Sequence, residues 1–233
     1  MARRPIYLPQ LSGHILVRTE MVEFQWFAGI SASQKQKSIR SLHSSAIEAG
    51  LCKRPMEVSS KSPISIGIAL SAFNLSGVSP KSGRAFTVET AFQSSKVFYG
   101  GGPFRELLYG SSRDAKKDPR LQESGRLEHF DYFGVRWELE PKTAFYDWLY
   151  VKTLARNEEL VDEMAGYDAF TDIEFNPQRS INCQAYSLGL FKALQARDLL
   201  NKALSSKEAF LEVAGYKSVS NAHEDTSIQQ RLV

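Results

Sequence analysis

The chain has 233 residues, 42% of them hydrophobic and 24% charged, the profile of a globular protein able to bury its own core. Two cysteines, Cys52 and Cys183, are too few for a disulfide framework or a cysteine-rich metal site, and His14, His43, His129 and His223 are too scattered to share a metal. The formal charge is only +3, no apolar run approaches the ~18 residues of a membrane span, and MARRPIYLPQ lacks a signal peptide's apolar stretch, so a cytoplasmic protein without membrane attachment is expected.

In chain order, RPIYLPQLSGHILVRTEMVEFQWFAG alternates in places and is rich in Val, Ile, Phe and Trp, which predicts two or three strands. SASQKQKSIRSLHSSAIEAG follows as a helix, with Ile39, Leu42, Ala46 and Ile47 as its apolar stripe and Gly50 as its C-cap. MEVSS reads as a short strand. SGVSPKSGRAF is a turn-rich loop. Helices are predicted over 88–98 and 103–109, then over 141–155 with Pro141 in the first turn. Asn157 is placed as the cap of a helix over 158–165. A long helix opens at Ser180 or Asn182 and reaches Leu200, and Ser205 with Glu208 has capping-box spacing before AFLEVAG. Without repeats or a linker, the expected organisation is an N-terminal extension (1–60) packed on a main domain (61–216), followed by a polar tail (217–233).

Charge is uneven: the first 60 residues carry eight Lys or Arg against four Asp or Glu, and SSRDAKKDPRLQ holds a second cationic cluster. Such patches are solvated surface or the footprint of a polyanion. More informative are polar residues where a core should be. In ETAFQSSKVFYGGGPFRELL, the spacing of Glu89, Phe92, Gln93 and Lys96 puts a carboxylate, an amide and an ammonium on one helical face among apolar neighbours. GGGP lacks the Lys-Ser/Thr of a phosphate-binding P-loop. In EPKTAFYDWLYVKTL, Lys142 shares a face with Phe145, Tyr146 and Leu149. It either snorkels to water or is a neutral, nucleophilic amine. Asp168, Asp172 and Glu174 crowd YDAFTDIEFNPQRSINCQ, as turn acids or as the carboxylates of a sugar-transfer site. Phe73, Phe92, Tyr132 and Trp137 are candidates to stack on a base, with core packing as the alternative for each.

LSAFNLSGVSPKSGRAFTVETAFQSSKVF resembles the signature of the NADAR superfamily, the YbiA-like proteins: an aromatic-Asn pair, a loop, then a Glu-x-x-aromatic-Gln-x-x-Lys helix. GRLEHFDYFGVRWELEPKTAFYDWLY is similar to the second family block, with Trp137 and Lys142 on its tryptophan and lysine, and SINCQAYSLGLFKAL to the last, with Asn182 on its asparagine. The QKQKSIRSLH segment is similar to the branch of antitoxins associated with DarT-type ADP-ribosyltransferase toxins. FTDIEFNPQRSIN departs from the family, lacking the Trp-Gly-rich stretch that many members carry before the final asparagine.

The resemblance implies an α+β, predominantly helical domain with an N-terminal strand-and-helix extension. It implies binding of ADP-ribose without a metal or other cofactor, and hydrolysis of the N-glycosidic bond to a base, most plausibly guanine in DNA, in a protein paired functionally with a DarT-type toxin. Two alternatives stay open: a non-catalytic ADP-ribose- or toxin-binding antitoxin, and an N-glycosidase for a small riboflavin-pathway-like metabolite. The expected catalytic set is Lys142 as imine-forming amine, Glu89 for proton transfer, and Glu174 or Asp172 to stabilise positive charge or guide water. For ligand binding, Phe73 or Trp137 would stack on a ring, Asn74 and Asn182 orient ribose hydroxyls, Arg126 and more weakly Arg84 meet the diphosphate, and Gln93 and Lys96 complete the wall begun by Glu89.

Overall fold

In a computed structural model, which describes residues 1–79, 82–178 and 180–216, the chain opens with strands β1 (Ala2–Pro9) and β2 (Val17–Phe24) and helix α1 (Ala32–Glu48). Then come β3 (Pro55–Glu57), α2 (Ser65–Ala69), β4 (Ser76–Val78), β5 (Ala85–Thr87), α3 (Val88–Ser94) and β6 (Lys96–Phe98). A 3₁₀ turn (Arg105–Tyr109) leads to α4 (Ser112–Lys117), α5 (Arg120–Glu123), β7 (Leu127–Tyr132) and β8 (Val135–Trp137). The remainder is α6 (Ala144–Leu154), α7 (Glu158–Glu163), β9 (Ala169–Thr171), α8 (Gln184–Ala196), α9 (Leu200–Ser205) and α10 (Lys207–Val213). The fold is α+β with more helix than strand, and a β-β-α extension precedes the core. No described helix is long and apolar enough to cross a membrane.

The largest sheet runs β2-β1-β9-β3, with β1 antiparallel to β2 and β9, and β3 parallel to β9. Strand alternation divides its faces. Ile6 and Leu8 of β1 point one way and pack with Ile39, Leu42 and Ala46 of α1, while Tyr7 points the other way and meets Tyr186 of α8 edge-on at 5.7 Å. The extension therefore supplies a central strand to a sheet completed by residues far along the chain. α1 ends as the sequence predicts: Gly50 adopts φ 69°, its N–H donates to the Ile47 carbonyl, and Leu51 N–H donates to Ala46. That pair of bonds satisfies two terminal carbonyls. The main core surrounds α6, which is buried on nearly every side, so it shows no polar face.

Several elements differ from the sequence expectations. The 88–98 helix stops at Ser94, because the Ser94 and Ser95 hydroxyls both donate back to the Ala91 carbonyl and residues 96–98 pair with β7 instead. The 103–109 helix is a 3₁₀ turn over Arg105–Tyr109. α6 begins at Ala144, since Thr143 takes a left-handed φ of 64° and ties its hydroxyl to Asp147. Asn157 stands at the N-cap of α7 as expected, but its side chain makes no capping bond: the amide donates to the carbonyls of Ser76 and Thr153. The long C-terminal helix breaks at Asp198, whose φ is 56°. Ser206 rather than Ser205 caps the last helix, accepting from Ala209 N–H. The polar tail expected over 217–233 lies outside the described residues.

Candidate functional site

β3 and β9 are parallel, and the segments leaving their C-terminal ends, with Ser60 on one and Asp172, Glu174 and Phe175 on the other, form one side of a cavity of about 460 Å³. α3 forms the facing wall through Glu89, Phe92 and Gln93, with Lys96 just beyond its end. Phe73 and Lys116, Tyr146 of α6, and Asn182 and Gln184 at the start of α8 close the rest. The volume suits a small-molecule ligand, for which ~300–1,000 Å³ is usual.

α3 presents these side chains because its start is locked. Thr87 accepts from Thr90 N–H at 3.1 Å, and the Thr90 hydroxyl accepts from Thr87 N–H at 3.0 Å, a reciprocal cap. One turn on, Gln93 Nε2 donates to Glu89 Oε1 at 2.9 Å, and the same oxygen lies 3.9 Å from Lys116 Nζ. Lys96 is 1% exposed, with its ammonium 5.1 Å from the centre of the Phe92 ring. Burial pulls its pKa down to about 7, although the Glu89 charge favours the ammonium; Lys116 adds a smaller push in the same direction as burial. The glycines after it make a tight return, not a phosphate loop. A side chain on Gly102 would meet the Lys96 carbonyl at 2.5 Å, and φ there is 93°. Glycine lets the turn press against the lysine's own backbone.

Across the cavity, Asp172 Oδ1 accepts from the N–H groups of Glu174 (3.0 Å) and Phe175 (3.1 Å), and Oδ2 from Gln184 Nε2 (2.9 Å). Gln184 is itself fixed, since its amide oxygen accepts from Ala72 N–H at 2.6 Å. Burial raises the Asp172 pKa to about 6 against these donors. Glu174 is exposed at the rim and accepts from Ser60 at 3.1 Å. Two buried amide oxygens, Gln93 Oε1 and Asn182 Oδ1, have no protein partner. Such groups call for a hydrogen-bond donor from a ligand or solvent.

This arrangement joins a low-pKa amine and a carboxylate within an amide's reach, both on the Glu-x-x-aromatic-Gln-x-x-Lys motif, with a second carboxylate, Asp172, held opposite. Residues 2–224 match the family of DarT1-associated NADAR antitoxins. The chain belongs to that family. A comparison with curated proteins finds no match.

The NADAR cavity gathers seven of the expected site residues: Glu89, Gln93, Lys96, Asp172, Glu174, Asn182 and Phe73. It does not gather the other five. Lys142 lies in the turn before α6, half-buried, outside the cavity lining. Its spacing to Phe145 and Leu149 implied a shared face only if the helix already ran through it, and the helix starts two residues later. Trp137 is 1% exposed and packed among Phe145, Trp148 and Phe210, so its ring faces are taken by core neighbours. Asn74 is exposed, its amide donating to the Ile68 carbonyl and the Ser71 hydroxyl. Arg84 lies over the Tyr109 ring at 4.0 Å, and Arg126 is exposed, 3.7 Å from Glu128. Among described residues no group of three or more His, Cys, Asp or Glu could hold a metal.

Sequence reasoning missed Tyr146, Gln184 and Lys116 as cavity residues. Gln184 stands two residues after the motif asparagine at a helix start, and Lys116 sits in the cationic cluster already noted. Tyr146 had no such signal: it reads as one more apolar residue of α6.

Proposed function

We propose that this NADAR protein is an ADP-ribosyl glycohydrolase that removes ADP-ribose from an N-glycosidically modified base, guanine in DNA being the favoured substrate, and that it acts by this reaction as the antitoxin to a DarT-type toxin. The observation that carries the reading is the Lys96 amine, buried in the lining of a nucleotide-sized cavity, its pKa brought down to about 7 against the pull of the Glu89 charge.

An N-ribosylated base amine can open its ribose ring to an imine at the anomeric carbon. Neutral Lys96 adds its nitrogen to that carbon, giving a carbon bonded to two nitrogens. Glu89 delivers a proton to the base nitrogen, the bond from carbon to the base breaks, and the base leaves as a free amine. The Schiff base left on Lys96 then takes up water, which returns the lysine amine and releases ADP-ribose as the aldehyde that recloses. Asp172 and Glu174 face the positive charge of the iminium and can guide that water. Lys116 at the rim offers the ammonium for the diphosphate that Arg126 and Arg84 were expected to offer, and the unpartnered Asn182 and Gln93 oxygens can accept from ribose hydroxyls. The sequence reading gave the nucleophile's role to Lys142. The cavity lining favours Lys96 instead.

The test is turnover of an oligonucleotide carrying ADP-ribosylated guanine, at low enzyme and in excess chelator, with borohydride added during the reaction. Free ADP-ribose and restored guanine should accumulate beyond one equivalent, and mass analysis should find the reduced adduct on Lys96. Lys142→Ala should keep turnover within about threefold. An adduct on Lys142 would return the chemistry to the second family block. Protection in strict proportion to protein, with no ADP-ribose released, would favour a non-catalytic antitoxin, and turnover confined to a small riboflavin-like N-glycoside would favour the metabolite reading.

A further inference from the structure

The cavity opens beyond the C-terminal ends of β3 and β9, and β1, antiparallel to β9, begins at that same edge. β1 crosses β9 at Tyr7–Phe170, so its first residues run toward the turn that holds Asp172. Arg3 and Arg4 therefore stand beside the cavity, and the Arg4 guanidinium feels the Asp172 charge.

Arg4 shares the α1-facing side of β1 with Ile6 and Leu8 but lies past the end of that small core. There its guanidinium sits 5.4 Å from the centre of the Trp26 ring, and the Lys35 ammonium of α1 sits 4.8 Å from the same centre. One indole thus holds two cations at a corner of the fold. Lys37 and Arg40 continue the charge along α1, whose sequence carries no acid before Glu48. Among the described residues none of Arg3, Arg4, Lys35, Lys37 and Arg40 is ion-paired, although eight ion pairs form elsewhere. Arg4 Nε is buried at this corner without a hydrogen-bond partner. Like charges gathered around one ring, with a donor unspent, fit an anion that spans them.

We propose that this corner is a strand-binding shelf, on which Arg4, Lys35, Lys37 and Arg40 hold the phosphodiester backbone of the DNA flanking the modified nucleotide. The inference rests on the glycohydrolase reading for its choice of DNA. A cavity of about 460 Å³ takes the modified nucleotide but not its neighbours in the strand, which must leave across the rim. A base undergoing chemistry leaves the stack, so its flanking phosphates need a separate hold. None of these cations lines the cavity; Lys37 and Arg40, three residues apart, share an exposed face of α1 different from that of Lys35, so the charge wraps the start of the helix. Trp26 organises two of the cations rather than stacking on a base, so the shelf reads backbone and not sequence.

The experiment measures fluorescence anisotropy of an unmodified single-stranded DNA oligonucleotide over a salt titration, for the native protein and for Lys35→Glu/Lys37→Glu/Arg40→Glu. The variant should bind at least tenfold more weakly at low salt, and the slope of log affinity against log salt should shrink by about 2, since each phosphate contact to single strands contributes ~0.7. Affinity for free ADP-ribose, read by calorimetry, should stay within twofold, and Lys35→Gln/Lys37→Gln should give an intermediate loss with an unchanged melting temperature. Unchanged oligonucleotide affinity overturns the shelf. So does a parallel loss of ADP-ribose affinity, which would assign these cations to the cavity, and so does a loss seen only with RNA or only with the toxin protein. Strand binding through α1 by a protein that never releases ADP-ribose would instead defeat the glycohydrolase reading and leave the shelf standing.

Discussion

Lys96 shows how one residue can be costly to the fold and useful to the site. Its ammonium has left water for a wall of aromatic and amide groups, and burial, the largest influence, brings its pKa to about 7. If Lys96 is the nucleophile, kcat/KM should rise with pH through about 7 and level off above it, because only the free amine attacks. The same shift has a consequence for stability. Between pH 7 and the usual lysine value of ~10.4 the unfolded chain holds a proton that the folded chain lacks, so the lysine's penalty is largest below pH 7 and fades as pH rises. Lys96→Met should therefore abolish turnover by at least ~10³-fold while raising the melting temperature. The gain should reach several degrees at pH 6, at ~2–4 °C per kcal/mol, and shrink toward pH 10. Equal gains at every pH would mean that Lys96 is not protonated differently in the two states. In sequence, the Glu89–Lys96 pattern announced a polar wall, but nothing distinguished Lys96 from Lys142 as the buried amine. That distinction depends on where helices start and stop.

Helix ends are where sequence and structure part company. α3 was legible because its periodic polar face sits directly behind a threonine pair, and its cap is what aims Glu89 and Gln93 across the cavity. Thr87→Ala removes the acceptor for Thr90 N–H and also the Ser112 contact at 2.8 Å, so a loss of about 1–2 kcal/mol is expected, seen as a fall of roughly 2–8 °C in melting temperature. A change below 1 °C would show that packing alone fixes the helix. α6 was misread at its start for a definable reason: Pro141 suits a first turn, but the left-handed Thr143 resets the helix after it. The strand following α3 was hidden because Val97 and Phe98 continue a helical stripe as readily as they pair in a sheet. Its partner Phe130 lies more than thirty residues on, beyond the reach of local pattern.

At the scale of the whole molecule, a chain of polar contacts crosses the sheet from extension to cavity. His43 Nε2 of α1 lies 2.8 Å from the Thr171 hydroxyl, which donates to Glu57 at 2.7 Å, and Glu57 also accepts from Ser59 and from Ile173 N–H beside Asp172. Burial, with the nearby Asp172 charge, raises the Glu57 pKa to about 8, and burial lowers that of His43 to about 4. Between the usual glutamate value of ~4.3 and pH 8 the folded state holds a proton on Glu57 that the unfolded chain has released, so this group's contribution to stability falls as pH rises across that window. Glu57→Gln keeps the neutral form's shape, and its melting temperature should gain on the native protein between pH 5 and pH 8. A constant difference would refute the raised pKa. Sequence gave no hint of this link, because Glu57 looks like any acid ending a short strand.

The sheet order also sets a timetable. As the chain leaves the ribosome, β1 and β2 can pair at once, but the other edge of β1 meets its partner only when Ala169–Thr171 emerge. At ~5–20 residues per second that delay is on the order of ten seconds. Through that interval Ile6, Tyr7 and Leu8 stand on an unfinished edge, the kind that recruits strands from other chains. A member of this antitoxin family thus completes its sheet only near the end of its own synthesis, and its supply follows how well the cell shelters that early hairpin.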